Sequence, residues 1–271
     1  MKSSVFVKSA GAALFAAVFI LVGCGRSGEK KSVTKKEAKV EAPSVNTLTA
    51  GEKADGWQLL FDGKTFNGWR GIGIKGIPAG HWNVVDGCIH KIGKKDVPRK
   101  ADGQPEKGGD LITDAVFNDF ILTFEWKISK GGNSGVKYNV IEAISIKNGW
   151  TGALGYEYQV IDDVNFPGKL TPKHQAAALY DMIAPDKNKV LKPVGEFNSS
   201  KIVFIGNHGE HWLNGRKVVE YDIDTPEFQK IFKESKYRGK KDFTRHKIAS
   251  IVLQDHADEC WYRNIKIKRI N

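Results

Sequence analysis

Three short stretches carry carboxylates, amides and a histidine at spacings that put them on shared faces. In Gly155–Asp163 (GYEYQVIDD), extended backbone places Glu157, Gln159 and Ile161 on one face. A one-residue bulge would bring Asp162 to the same face. Carboxylates move protons and amides hold hydroxyl groups, so this row suits acid–base work on a hydroxylated ligand. The plainer alternative is the polar face of an edge strand. Gln254 and His256 share a parity at the end of an apolar run, and imidazole titrates near neutrality. A loop histidine satisfied by Asp255 or Asp258 is the competing reading. Tyr180 and Asp181 follow the small apolar run Ala176–Leu179, where a phenol can stack on a ring and a carboxylate can accept hydroxyl hydrogen bonds.

Period-two patterning supplies the elements that must hold these groups. Phe120, Leu122, Phe124, Trp126 and Ile128 fall on one face of a strand, with Thr123, Glu125 and Lys127 on the other. Glu125 therefore faces groove or solvent. Hairpins are expected at His81–His90, around Asp86-Gly87, and at His211–Val219, around Asn214-Gly215. Further strands are expected at Lys201–Ile205, Ile248–Gln254 and Trp261–Ile267, where Arg263 alternates with Trp261 and suits a salt bridge. Gly131–Gly135 reads as a hairpin turn that points Asn133 into a groove, and it precedes no helix that could cradle a phosphate. One helix is expected near Pro226–Tyr237, capped by Asp224 or Thr225, with Phe228, Ile231 and Phe232 as its apolar stripe. Many short strands and one short helix predict an all-β sandwich of two antiparallel sheets. Trp57, Trp69 and Trp82 belong to its core on this reading.

The chain has 271 residues and a net charge of +11. The charges are dispersed with both signs interleaved, and no nucleic-acid-binding motif is present, so a nucleic-acid partner is not expected. Lys2 and Lys8, the apolar run Ala10–Val22 and small residues before Cys24 form an export signal too short to span a bilayer. Residues 25–55 carry seven Lys/Arg, five acids and no aromatic residue, a composition that predicts a disordered tether. The expected organisation is thus a leader over 1–23, a tether over 24–55 and a folded domain over 56–271. Cys88 and Cys260 suit either a disulfide in an exported compartment or two buried thiols. Acidic residues are numerous enough to hold a divalent cation, but no ligand spacing demands a metal.

Six motifs occur in order: LFDGKTFNGW (Leu60–Trp69), HWNVVDG (His81–Gly87), EWKISKGGNSGVKY (Glu125–Tyr138), GYEYQVIDD (Gly155–Asp163), ALYDMIAP (Ala178–Pro185) and IVLQDHADECWYRNIKI (Ile251–Ile267). Together they resemble the 3-keto-disaccharide hydrolase family across residues 56–271. The resemblance implies a concanavalin-like jelly roll in the bacterial envelope, acting on sugars that a sugar 3-dehydrogenase has already oxidised. Leu21-Val22-Gly23-Cys24 likewise resembles a lipobox, which implies a lipid anchor at Cys24 and, with Gly25 following, the outer membrane. The chain departs from the family at Ala177, where glycine is common, and at Asn139, where arginine is common.

The implied reaction is cleavage of 3-keto-glycosides by elimination and rehydration. On that reading Glu157 is the base and His256 its acid–base partner. Asp181 and Tyr180 hold ring hydroxyls, and Gln159, Gln254 and Asn133 donate to the enolate. Glu125, Tyr138, Asp162 and Arg263 complete the expected substrate contacts. Two other functions fit the fold. Glu157-x-Gln159-x-x-Asp162 echoes the catalytic strand of laminarinase-like glycosidases, weakened by Gln159, and a non-catalytic carbohydrate-binding module needs no acid at all.

Overall fold

The computed structural model describes residues 44–104, 106, 108–147, 152–240, 243 and 248–270. The expected leader, Cys24 and residues 25–43 of the tether lie outside the described residues. Among the described residues, thirteen strands form two antiparallel sheets. The larger sheet runs, in spatial order, β11 (Arg216–Asp222), β10 (His208–Leu213), β9 (Asn198–Ile205), β6 (Phe120–Ile128), β13 (Cys260–Arg269), β4 (Cys88–Lys91) and β3 (Trp82–Val85), with β1 (Trp57–Leu59) also pairing with β13. The smaller sheet runs β2 (Trp69–Gly71), β5 (Leu111–Thr113), β12 (Ser250–Leu253), β7 (Asn133–Val140) and β8 (Tyr156–Ile161). The two sheets make a jelly-roll sandwich, as expected.

Alternation is the reason β6 sits where it does. Phe120, Leu122, Phe124, Trp126 and Ile128 are all buried in the core between the sheets. Each such burial stabilises by roughly 1.5–3 kcal/mol. Both expected hairpins form, and Asp86-Gly87 and Asn214-Gly215 take the positive φ values that a tight two-residue turn needs. The glycine-rich segment is a different matter. It joins β6 of the larger sheet to β7 of the smaller one, so it is a crossover between sheets rather than a hairpin turn. Pairing partners decide this, and they are remote in sequence.

Among the described residues, three α-helices occur where one was expected: α1 (Ala50–Ala54), α2 (Glu142–Lys147) and α3 (Pro226–Glu234). Thr225, not Asp224, caps α3 by accepting from the Phe228 N–H. Helix α1 corrects the tether boundary, because residues 44–55 fold onto the domain. Asn46 is 7% exposed and exchanges hydrogen bonds with Asn264, at 2.6 and 2.8 Å, while its amide donates to the Gly87 carbonyl at 2.8 Å. Glu52 closes a capping box with Thr49 and pairs with Lys266 at 2.7 Å. Composition misses this, since a few long-range polar contacts anchor the segment rather than apolar area. A chain starting at Gly56 should therefore lose about 2–3 kcal/mol relative to one starting at Ser44. Its Tm should fall by roughly 5–10 °C in thermal melts; equal melting would show that these contacts contribute nothing.

Two further expectations resolve inside the core. Cys88 and Cys260 are free, buried thiols, and burial pushes the Cys260 thiol up to about 12. Tyr138 points between the sheets, away from any ligand, and is fully buried. His211 Nδ1 lies 3.0 Å from the Ala177 carbonyl, which can only accept, so Nδ1 carries the proton. The Tyr138 hydroxyl then donates to Nε2 at 2.8 Å and accepts from Tyr221 at 2.5 Å. Burial pushes the His211 pKa down to about 4. Below pH 6.5 the unfolded chain takes up a proton that the folded one refuses until about pH 4. Stability should drop by about 3 kcal/mol over that window because of this group. In His211→Gln the acid limb of a urea-melt series should be correspondingly flatter; an unchanged limb would exclude the linkage.

Candidate active site

Glu157 is 3% exposed and is the second residue of β8. Its neighbours Tyr156 and Tyr158 fill the core, so Glu157 and Gln159 project from the opposite face of the smaller sheet. Cross-strand register places Lys137 of β7 beside Glu157 and Gly135 beside Gln159, and Val252 of β12 beside Lys137. Gly135 is what makes room: a Cβ there would lie 2.7 Å from Glu157 Oε1. Turned toward Glu157, the Gln159 amide nitrogen lies 3.1 Å from Oε1 and from the Ser134 carbonyl. The Gln159 and Asn133 amides meet at 3.2 Å. Gln254 donates its backbone N–H to Gly135, and its buried side-chain oxygen has no partner among the described residues.

Residues 176–181 run along the free edge of β8. The Ala177 N–H donates to the Gln159 carbonyl, and the Tyr180 N–H donates to the Glu157 carbonyl. Ala177 (φ +67°) and Asp181 (φ +59°) are both left-handed. For alanine this costs about 1–2 kcal/mol, which gives the glycine common in the resembling family a physical reason. Here the buried His211 holds the Ala177 carbonyl in place. Tyr180 thereby sits beside Glu157, and burial together with Glu157 and Asp181 raises its pKa.

Two lysines that sequence reasoning missed complete the site. Lys137 is 6% exposed, with Nζ 3.1 Å from the Ala153 carbonyl and 3.4 Å from Asp110 Oδ2. Burial works to depress its pKa, but Asp110 and Glu157 more than offset this and hold it above the usual lysine value. An isolated lysine among Val136, Tyr138 and Val140 was the available signal. Lys236, after α3, carried none. Its ammonium lies 4.0 Å from the centre of the Tyr180 ring and 5.0 Å from that of Tyr237. Partial burial, reinforced by Lys137, lowers its pKa against the opposing pull of Glu157 and Asp181.

Glu157, Gln159, Asn133, Gln254, Tyr180 and Asp181 thus lie near one another, but Asp181 has other work. It accepts from the Lys236 N–H at 2.6 Å and contacts His174 Nε2 at 2.9 Å. Burial tends to raise its pKa, and these partners lower it overall. It positions a loop rather than offering free lone pairs. Asp162 is similarly engaged, taking hydrogen bonds from Gly131, Val164 and both nitrogens of Asn165 at 2.8–3.1 Å. It builds a turn, so its carboxylate is engaged there rather than free to act opposite Glu157 as in a retaining glycosidase. Glu125 and Arg263 pair with each other at 2.7 Å across β6 and β13 of the other sheet. His256 is exposed, with no hydrogen bond to a described residue, and lines a cavity of about 450 Å³ with His81, Lys91 and Asp255. Among the described residues, the cluster able to offer three metal ligands is His208, Glu210 and Glu220 on the β10–β11 hairpin, where Lys217 already pairs with both glutamates.

Residues 56–268 match the family described as 3-keto-alpha-glucoside-1,2-lyase-like domain. A protein of Bacteroides thetaiotaomicron named 3-keto-disaccharide hydrolase is 35% identical, over 92% of this chain and 94% of its own length. A crystal structure of a putative glycosyl hydrolase from Parabacteroides distasonis is 30% identical, with a TM-score of 0.73, covering 84% of this chain and 100% of that one. A second from the same organism is 25% identical at a TM-score of 0.55, covering 79% and 99%.

Proposed function

Because the chain belongs to the 3-keto-alpha-glucoside-1,2-lyase-like family, we propose that it cleaves glycosidic bonds of sugars bearing a ketone at carbon 3. The ketone acidifies the proton on carbon 2, since the resulting carbanion is delocalised onto oxygen. Glu157 takes that proton, and the C–H electrons form the enolate. As the ketone re-forms, the C1–O bond breaks, the departing oxygen gains a proton, and an unsaturated keto-sugar remains. Water then adds at carbon 1 and a proton returns to carbon 2, which gives net hydrolysis.

The observation that carries this reading is the setting of Glu157. A buried carboxylate on a rigid strand, in space left by Gly135 and flanked by two lysines, suits a base acting beside developing negative charge. Tyr180 offers a ring face and a hydroxyl to the sugar, Gln254 offers an amide, and Gln159 orients the Glu157 carboxylate. Assaying an intact glucoside beside its 3-keto form tests the proposal, and only the oxidised sugar should be cleaved. Cleavage of both would indicate an ordinary glycosidase, and cleavage of neither a binding module.

The same reading places the enzyme in the bacterial envelope, downstream of a sugar 3-dehydrogenase and held by a lipid on Cys24. Its support is the sequence Leu21-Val22-Gly23-Cys24. Cys24→Ser should then release the protein from the membrane fraction; retention of the variant would remove the anchor.

A further inference from the structure

We propose that Lys236 binds the carbonyl oxygen at carbon 3, so that it both selects oxidised sugars and stabilises the enolate formed from them. The inference deepens the function proposed above and rests on Glu157 facing carbon 2. Each cation near Glu157 can be judged by what holds its head group. The Lys137 ammonium is committed to Asp110 and the Ala153 carbonyl. Lys236 differs, because its ammonium has no hydrogen bond or ion pair with a described residue and rests against the rings of Tyr180 and Tyr237. Glu157 and Asp181 both act on it electrostatically, yet neither closes to ion-pair distance. A base and a cation that do not close on each other both remain available to a ligand. Carbons 2 and 3 are adjacent, so a base at one and a cation at the oxygen of the other address one sugar edge.

The position of Lys236 is built into the fold. Its backbone N–H donates to Asp181 Oδ2 at 2.6 Å, which ties the loop after α3 to the segment that carries Tyr180. Solvent still reaches the side chain, so a substrate can reach it too. An alcohol at carbon 3 develops no charge, whereas the ketone oxygen becomes an enolate oxygen. An ammonium held against the Tyr180 and Tyr237 rings favours the second more than the first. Tyr180 and Tyr237, with pKa values raised by burial and by Glu157, stay neutral and can only add hydrogen bonds.

The test begins in the Glu157→Gln background, where turnover is blocked. Calorimetric affinities for 3-keto-glucoside and for the parent glucoside are compared with and without Lys236→Met. The preference for the keto sugar should fall at least about tenfold, with affinity for the parent glucoside little changed. With Glu157 intact, Lys236→Met should slow exchange of the carbon 2 proton about 10²–10³-fold, as for other oxyanion donors, and Lys236→Arg should restore part of it. An unaltered keto preference in Lys236→Met overturns the proposal, as does its absence in the parent protein. A borohydride-trapped sugar adduct on Lys236 overturns it in favour of a covalent imine. Binding that discriminates without any proton exchange would sink the elimination reading while leaving the role of Lys236 standing.

Discussion

Glu157→Gln should lower solvent exchange of the carbon 2 proton of a 3-keto-glucoside by about 10²–10⁴-fold, the range for removing a general base. Proton NMR in deuterated water reads this directly, before any bond to the leaving group breaks. Glutamine keeps the shape of the side chain in the space beside Gly135, where a Cβ would lie 2.7 Å from Glu157 Oε1, so folding should be preserved. Binding should be preserved too, since the tyrosine, the lysines and the amides around the ligand stay in place. Undiminished exchange would move the base to Asp181 or His256. For Asp181 that would require breaking its contacts with Lys236 and His174.

The second large effect falls on stability. Asp110 is 1% exposed and accepts from the Ala153 and Asp255 N–H groups, each at 2.8 Å, and from Lys137 at 3.4 Å. It joins β5, β12 and β7 behind the site. Asp110→Ala leaves two backbone donors unpaired and takes the ion-pair partner from a buried ammonium, which should cost about 3–5 kcal/mol in urea denaturation. Adding Lys137→Met to Asp110→Ala should recover part of that loss, because the unpaired charge disappears with it. A cost below about 1 kcal/mol for the single variant would mean that Lys137 draws its stabilisation from elsewhere.

Much of the architecture was legible because strand patterning is local. The alternating apolar face of β6, the Asp86-Gly87 and Asn214-Gly215 turns and the Thr225 cap each depend on neighbours within a few residues. Glu157 was legible for the same reason, since Tyr156 and Tyr158 declare which face of β8 is the core. The same parity rule cannot say whether a polar group is free. Asp162 and Asp181 have the right chemistry, but Gly131, Asn165, His174 and Lys236 engage their carboxylates. Nor does parity report which sheet a strand enters, so Tyr138 was expected at the ligand and lies between the sheets.

The amino-acid sequence by itself determined the sandwich, its strand faces and the strand that carries the carboxylate, because these follow from side-chain alternation and turn chemistry along a few residues. Tertiary structure alone decided which side chains share a site. Lys137 lies beside Glu157 through β7–β8 register, and Lys236 comes over the Tyr180 ring because Asp181 fastens the loop after α3. Likewise Asn46 meets Asn264 only once α1 folds back onto β13. Those meetings join residues up to 218 positions apart, and no local propensity encodes contacts that exist only after the sheets have closed.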